Sequence, residues 1–263
     1  MGEASRAMMI RAILTVLLWS LLLISTAAEP QRETVFQAST IDALLGGVYD
    51  GVISFEEALK HGDFGLGTVD RLDGELVILD GTCYQIQSDG TVQCLNPEMT
   101  TPWVMVTSFE AQGSRSLTDL TLLELKETLD EEVLEHRYLY ALRLDGKFKN
   151  LKLRSVPAQI KPYRPLAEVV KEQSVFEYAE LEGTVVAFRT PQFLSGVSVP
   201  GYHFHFLSKD RKRGGHVLDL SVDTAELRWD RCEEFVLRIP ELQEFHQVDL
   251  EKDRSKELDT VEK

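Results

Sequence analysis

The chain has 263 residues, 43% of them hydrophobic, which is enough to bury a sizeable core. Its formal net charge of −15 argues against nucleic acid and against an anionic membrane surface, both of which attract basic patches. An acidic substrate can still be held, but only through a local cation such as a metal ion or a buried arginine.

Residues 1–28 read as an export signal. Arg6 and Arg11 precede an apolar run from Ala12 to Ile24, and Ser25-Thr-Ala-Ala28 supplies the small residues of a cleavage site. The alternative is an uncleaved anchor, for which the run is short. The expected product is a secreted protein with no stable membrane anchor after cleavage. The residues that follow divide, at the prolines Pro157, Pro162 and Pro165, into an N-terminal mixed lobe (29–160) and a β-rich C-terminal lobe (161–263).

Along the first lobe, Thr40 to Tyr49 has helical apolar spacing, and Ser54-Phe-Glu-Glu57 looks like a capping box opening a second short helix. Thr68 to Leu79 reads as paired strands around the turn Leu72-Asp-Gly-Glu75. Cys83 and Cys94 flank a hairpin centred on Ser88-Asp-Gly90. In an oxidising compartment they form a disulfide or stay as two independent buried thiols; Cys232 is left over. Ser116 to Asp130 has the leucine spacing of a helix. Tyr138–Leu144 and Lys147–Arg154 read as strands joined by the hairpin signal Asp145-Gly146.

In the second lobe, Leu166 to Gln173 predicts a short helix. Strands are expected over Val175–Thr190, Tyr202–Leu207, His216–Val222 and Phe235–Ile239, and a helix in the charged tail from Asp249. Strands dominate without regular alternation with helices. The pattern predicts an α+β fold, with mixed β-sheets in two packed lobes and a few helices.

The local chemical signal is Gly201-Tyr-His-Phe-His-Phe206. On a strand, His203 and His205 share a face. A hairpin turn centred near Asp210 and Arg211 would set His216 opposite His205, so three imidazoles converge. Neutral histidines in such a set hold a catalytic metal, with zinc, copper and iron all compatible with the spacing. No Cys-x-x-Cys pattern suggests a thiolate site. His61, His136 and His246 read as structural, and Glu75 and Arg154, taken singly, as an ordinary turn carboxylate and strand-end cation.

Taken together, several segments resemble the acetolactate decarboxylase family. They are His61-Gly-Asp-Phe-Gly-Leu-Gly-Thr68, Leu72-Asp-Gly-Glu75, Arg154-Ser-Val-Pro157 with Lys161-Pro-Tyr163, Gly201-Tyr-His-Phe-His205 and Gly215-His-Val-Leu-Asp219. They occur in family order over most of the chain from Val35. The resemblance implies an enzyme, a carboxy-lyase that converts 2-acetolactate to acetoin and carbon dioxide. It implies Zn2+ on His203, His205 and His216, with Glu75 and a tail glutamate near the metal. That glutamate is Glu262 or its rival Glu257. It further implies catalytic Arg154, a pocket lined by Thr68, and a homodimer whose sheets join across the interface. The metal would then stabilise an enediolate rather than activate water. The alternative from the histidines alone is a secreted zinc hydrolase, with zinc-bound water and a glutamate base.

Overall fold

The computed structural model describes residues 33–262; the segment read as an export signal lies outside them. No helix among the described residues is long and apolar enough to cross a membrane. In chain order, β1 (Thr34–Ala38) leads through α1 (Ile41–Leu45) to β2 (Ile53–Ser54) and α2 (Phe55–Ala58). The strands β3 (Phe64–Thr68), β4 (Glu75–Leu79), β5 (Thr82–Ile86), β6 (Val92–Cys94), β7 (Thr100–Thr101) and β8 (Val104–Thr107) follow. Then come β9 (Gly113–Thr121), α3 (Leu122–Thr128), β10 (Leu139–Ser155), α4 (Leu166–Val169) and β11 (Ser174–Thr190). The chain ends with β12 (Gly201–Ser208), β13 (Gly214–Cys232), β14 (Glu234–Arg238), α5 (Gln243–Gln247) and α6 (Ser255–Glu262).

These elements make the expected α+β fold of mixed sheets and short helices. One sheet has the order β14-β1-β8-β3-β4-β5-β6, with β14 parallel to β1 and its other pairs antiparallel. The other runs β10-β11-β12-β13-β9, and β13 also pairs with β10, so four of its strands close into a ring. A large apolar cluster lies between the sheets, built from side chains such as Leu66, Val77, Met105, Val186, Phe188 and Leu207. The second sheet fills its own ring with Leu142, Leu144, Phe148, Phe204, Phe206 and Leu227. Strands from both sides of the proline segment build that second sheet. The layers therefore do not follow a divide at residues 160 and 161: β10 and β11 flank the prolines yet pair along almost their whole length.

Two local expectations fail for identifiable reasons. Residues 113–121 are not helical but form β9, whose backbone pairs with β13 from Trp229 to Ser221. The helix begins only at Thr121, whose hydroxyl accepts from the Glu124 N–H while the Glu124 carboxylate accepts from the Thr121 N–H. Leu125 and Leu129, four apart, then reach the ring core. The leucine spacing that suggested one long helix is thus half strand and half helix, and tertiary pairing overrides it.

Asp145-Gly146 is likewise no turn; β10 runs straight through it for 17 residues. Asp145 accepts from Arg143 Nε at 2.8 Å and from the Thr184 hydroxyl at 2.7 Å, and pairs with Arg228, all in the same sheet. Gly146 sits between β11 and β13, where a Cβ would come 2.2 Å from the Thr224 carbonyl oxygen and 2.6 Å from Ala225 Cβ. What breaks the apolar alternation is a slip further on. Leu142, Leu144 and Phe148 share the ring core, and after a one-residue shift Leu151 and Leu153 take it over. The partner strand slips at the same level, where Glu180 has φ 54°. The shift turns Arg154 to the opposite face, toward the space between the sheets.

The Ser88-Asp-Gly90 hairpin forms, but its register sets Tyr84, not Cys83, opposite Cys94. Cys83 is buried, Cys94 exposed and Cys232 buried, all as free thiols. Of the two sequence readings, separate thiols hold, but only Cys83 of the pair is buried as that reading expected.

Valine at Gly146 suits a strand by propensity, yet the contacts forbid it. Gly146→Val is expected to destabilise the protein by about 2 kcal/mol or more, as overpacking does, read as a fall in the urea midpoint. An unchanged or raised midpoint would mean that the strands do not close around this residue.

Candidate metal centre

The β12–β13 register pairs His205 with His216, and His203 lies two residues before His205 on the same face. The three ligand-capable nitrogens lie within 4.8 Å of one another and all three residues are buried. His203 Nε2 stands 3.2 Å from His205 Nε2 and 3.2 Å from His216 Nδ1. Nitrogens about 2.0–2.1 Å from a tetrahedral ion would be separated by roughly 3.3 Å, so the spacing fits a first-row divalent metal.

The ring tautomers fit as well. His205 Nδ1 lies 2.8 Å from the Leu76 carbonyl on the facing sheet, a contact only its N–H can make, which leaves the Nε2 lone pair turned to the other histidines. Burial lowers all three imidazoles below their ordinary pKa, His203 to about 3, and the nearby Arg154 guanidinium adds to the effect. They are therefore neutral, which is the ligating form.

Two carboxylates flank the group. Glu75 opens β4, and its Oε2 is 3.5 Å from His205 Nε2. Glu262 closes α6, and its Oε2 is 3.9 Å from His216 Nε2. Burial pushes each up to about 7, against the pull of Arg154. Arg154 Nη1 is 3.9 Å from Glu75 Oε1, and its own backbone is opposite His216 in the β10–β13 ladder. A cavity with about 410 Å³ of empty space, its mouth included, lies against these groups. Thr68, Trp103 and aliphatic side chains such as Ile41, Leu44, Val156 and Leu166 also line it.

The chain matches the family profile described as alpha-acetolactate decarboxylase over residues 35–252. It is 43% identical over 242 residues to the Methanosarcina mazei protein of that name, covering 92% of this chain and 84% of that one. The chain belongs to the alpha-acetolactate decarboxylase family. The crystal structure of the Bacillus subtilis alpha-acetolactate decarboxylase superposes with a TM-score of 0.85 at 35% identity, over 87% of this chain and 99% of that one. A Staphylococcus aureus protein of unknown function, described as similar to alpha-acetolactate decarboxylase, gives 0.83 at 28% identity with the same coverages.

Every residue that the family resemblance singled out lies at this centre except the rival tail glutamate. Glu257 faces away: it pairs with Lys252 and accepts from Arg254 Nη1 at 2.7 Å, so Glu262 is the tail carboxylate at the histidines. Thr68 is buried and donates its hydroxyl proton to the Gly74 carbonyl at 2.6 Å, leaving only lone pairs for the cavity. The same turn sets Glu75. Gly74 has φ 81°, and a Cβ there would lie 2.2 Å from the Ile86 carbonyl oxygen. His61 is stacked on Phe36, while His136 and His246 lie outside the cavity wall, in keeping with structural readings.

Two contributors had no signal in the sequence. The Leu76 carbonyl is a backbone group that only the packing of the sheets brings to His205. Trp103, whose ring stacks 5.7 Å from that of His203, follows Pro102 in an unremarkable strand approach.

The buried glutamates and histidines give the metal-free protein opposing pH dependences. A raised carboxyl pKa contributes stability that is complete below the unfolded value near 4.5 and lost as pH rises through about 7. The lowered histidine values contribute stability that is complete above about 6.5 and lost as pH falls. In chelator-stripped protein, Glu75→Gln should therefore flatten the fall in Tm between roughly pH 5 and 8. Parallel Tm curves for the two proteins would show that Glu75 is not a buried titrating group.

Proposed function

We propose that the protein decarboxylates 2-acetolactate to acetoin, with Zn2+ held by His203, His205 and His216. The observation that carries this reading is a cluster of three neutral histidines, two of which line one small cavity together with two raised-pKa glutamates and a buried arginine, in a chain of this family. The relatives lend no support to the zinc hydrolase alternative.

Acetolactate bears a hydroxyl, a methyl, an acetyl group and a carboxylate on one carbon. When carbon dioxide leaves, the bonding electrons stay on that carbon and spread into the neighbouring ketone. When bound, the ion supplies Lewis-acid stabilisation of the negative charge that develops on the substrate oxygens. Arg154 holds the substrate carboxylate: it is 4% exposed, its Nε has no partner among the described residues, and a guanidinium forks onto a carboxylate. Thr68 Oγ1 accepts from the substrate hydroxyl. The aliphatic wall keeps water from the carbon that becomes a base. Glu75 and Glu262, on two sides of the histidines, are placed to pass on the proton that this carbon takes up to become acetoin.

The proposal extends to export of the mature chain and to a homodimer, supported by the Arg-flanked apolar leader and by the family resemblance. N-terminal sequencing of protein recovered outside the cell should begin near Glu29, and its mass in solution should be twice that of the mature chain. A cell-retained full-length chain or a monomer would refute these parts separately.

Arg154→Ala is expected to keep its metal, because the residue is no ligand, and to lower kcat/KM for acetolactate by roughly 100-fold or more, as loss of a buried charged partner does. Chelation should abolish acetoin formation and added zinc restore it. Acetoin formation by Arg154→Ala at the normal rate would remove the assigned role, and turnover that survives complete metal removal would remove the reading itself.

A further inference from the structure

One polar group on the cavity wall has no task in the reaction just described. Trp103 is 1% exposed, and its indole Nε1–H finds no acceptor among the described residues. Native structures keep few buried donors unpaired, and those they keep call for an explanation. Of the side chains lining the cavity, only Arg154, His203 and Trp103 carry such an unpartnered buried nitrogen.

Arg154 and Trp103 stand at different places. Arg154 is beside Glu75, whereas Trp103 lies against the His203 ring with the two planes 29° apart. Arg154 is assigned to the carboxylate, which leaves Trp103 for another part of the ligand. Thr68 cannot donate into the cavity, since its proton is committed to the Gly74 carbonyl. It suits the substrate hydroxyl, which brings its own proton. The ketone oxygen can only accept, and its two lone pairs leave room for a donor.

We infer that Trp103 is that donor: its indole N–H hydrogen-bonds the ketone oxygen of bound acetolactate. The inference rests on the function proposed above and adds a contact to it. The residue is held firmly. Its carbonyl accepts from the Thr68 N–H at 3.2 Å and the Thr101 hydroxyl at 2.9 Å, its own N–H donates to Thr101 Oγ1 at 3.2 Å, and its ring belongs to the core between the sheets. A donor fixed in advance costs no reorganisation when charge appears in front of it. As carbon dioxide departs, negative charge grows on the ketone oxygen, and the hydrogen bond strengthens. The contact should therefore act on kcat more than on KM.

Trp103→Phe keeps an aromatic ring on His203 and removes only the N–H. Metal content should match the wild type, KM should change little, and kcat should fall roughly tenfold or more. The second measurement is the 15N-indole resonance of Trp103 in metal-loaded protein, assigned by its loss in Trp103→Phe or, if that variant does not fold, by elimination with Trp19→Phe and Trp229→Phe. Adding the acetolactate analogue with a phosphonate in place of the carboxylate, which keeps the ketone and cannot lose carbon dioxide, should move this resonance downfield. A wild type that forms acetoin, with Trp103→Phe equally fast or the resonance unmoved, would overturn the Trp103 contact and leave the functional reading standing. A metal-loaded wild type that makes no acetoin would overturn both.

Discussion

The hydrogen bond from His205 to the Leu76 carbonyl joins the two sheets at the point where the chemistry is held. It crosses from β12 in the ring to β4 in the open sheet, and it fixes which imidazole nitrogen is left to bind a metal. For this bond to form, β12 must lie over β4, and the ladder between β12 and β13 must hold its register. A shift of one residue in that ladder would turn His216 to the ring core and bring Val217 to the site. The rest of the centre inherits its position from the same stacking: Glu75 immediately precedes Leu76, and Arg154 lies across the ladder from His216.

Such a site is costly to build. Two carboxyls, a guanidinium and three imidazoles are brought out of water into one cavity, and burial shifts five of the six toward their neutral forms. A divalent ion reverses this for the glutamates, since a positive charge at short range favours the carboxylate. With both glutamates ionised, a divalent ion and a singly charged substrate anion bring the buried charge to neutrality. In a chain with a net charge of −15, the cations that would meet an anionic substrate are internal.

Much of the centre was legible in the sequence because it is written in short-range geometry. A period of two places His203 and His205 on one face, and the length of the turn between the strands places His216 opposite His205. Glu75, Arg154 and Glu262 had no such local mark. They were found by family resemblance, because the contacts that unite them span the whole chain. Where local patterns misled, a partner strand was the cause. The leucines after Ser116 are helical only beyond Thr121, because β13 claims the residues before it. Asp145-Gly146 resembles a hairpin turn because an aspartate with two cross-strand partners and a glycine squeezed between strands look, in sequence, like a turn. Backbone groups such as the Leu76 carbonyl cannot be read from side-chain identity at all.

The most direct measurement of the central claim is anomalous scattering at the zinc absorption edge from crystals of active enzyme. One peak is expected among the ring nitrogens of His203, His205 and His216, with His205 Nδ1 still bonded to the Leu76 carbonyl. Active crystals whose metal peak lies away from these histidines, or that show none, would contradict it.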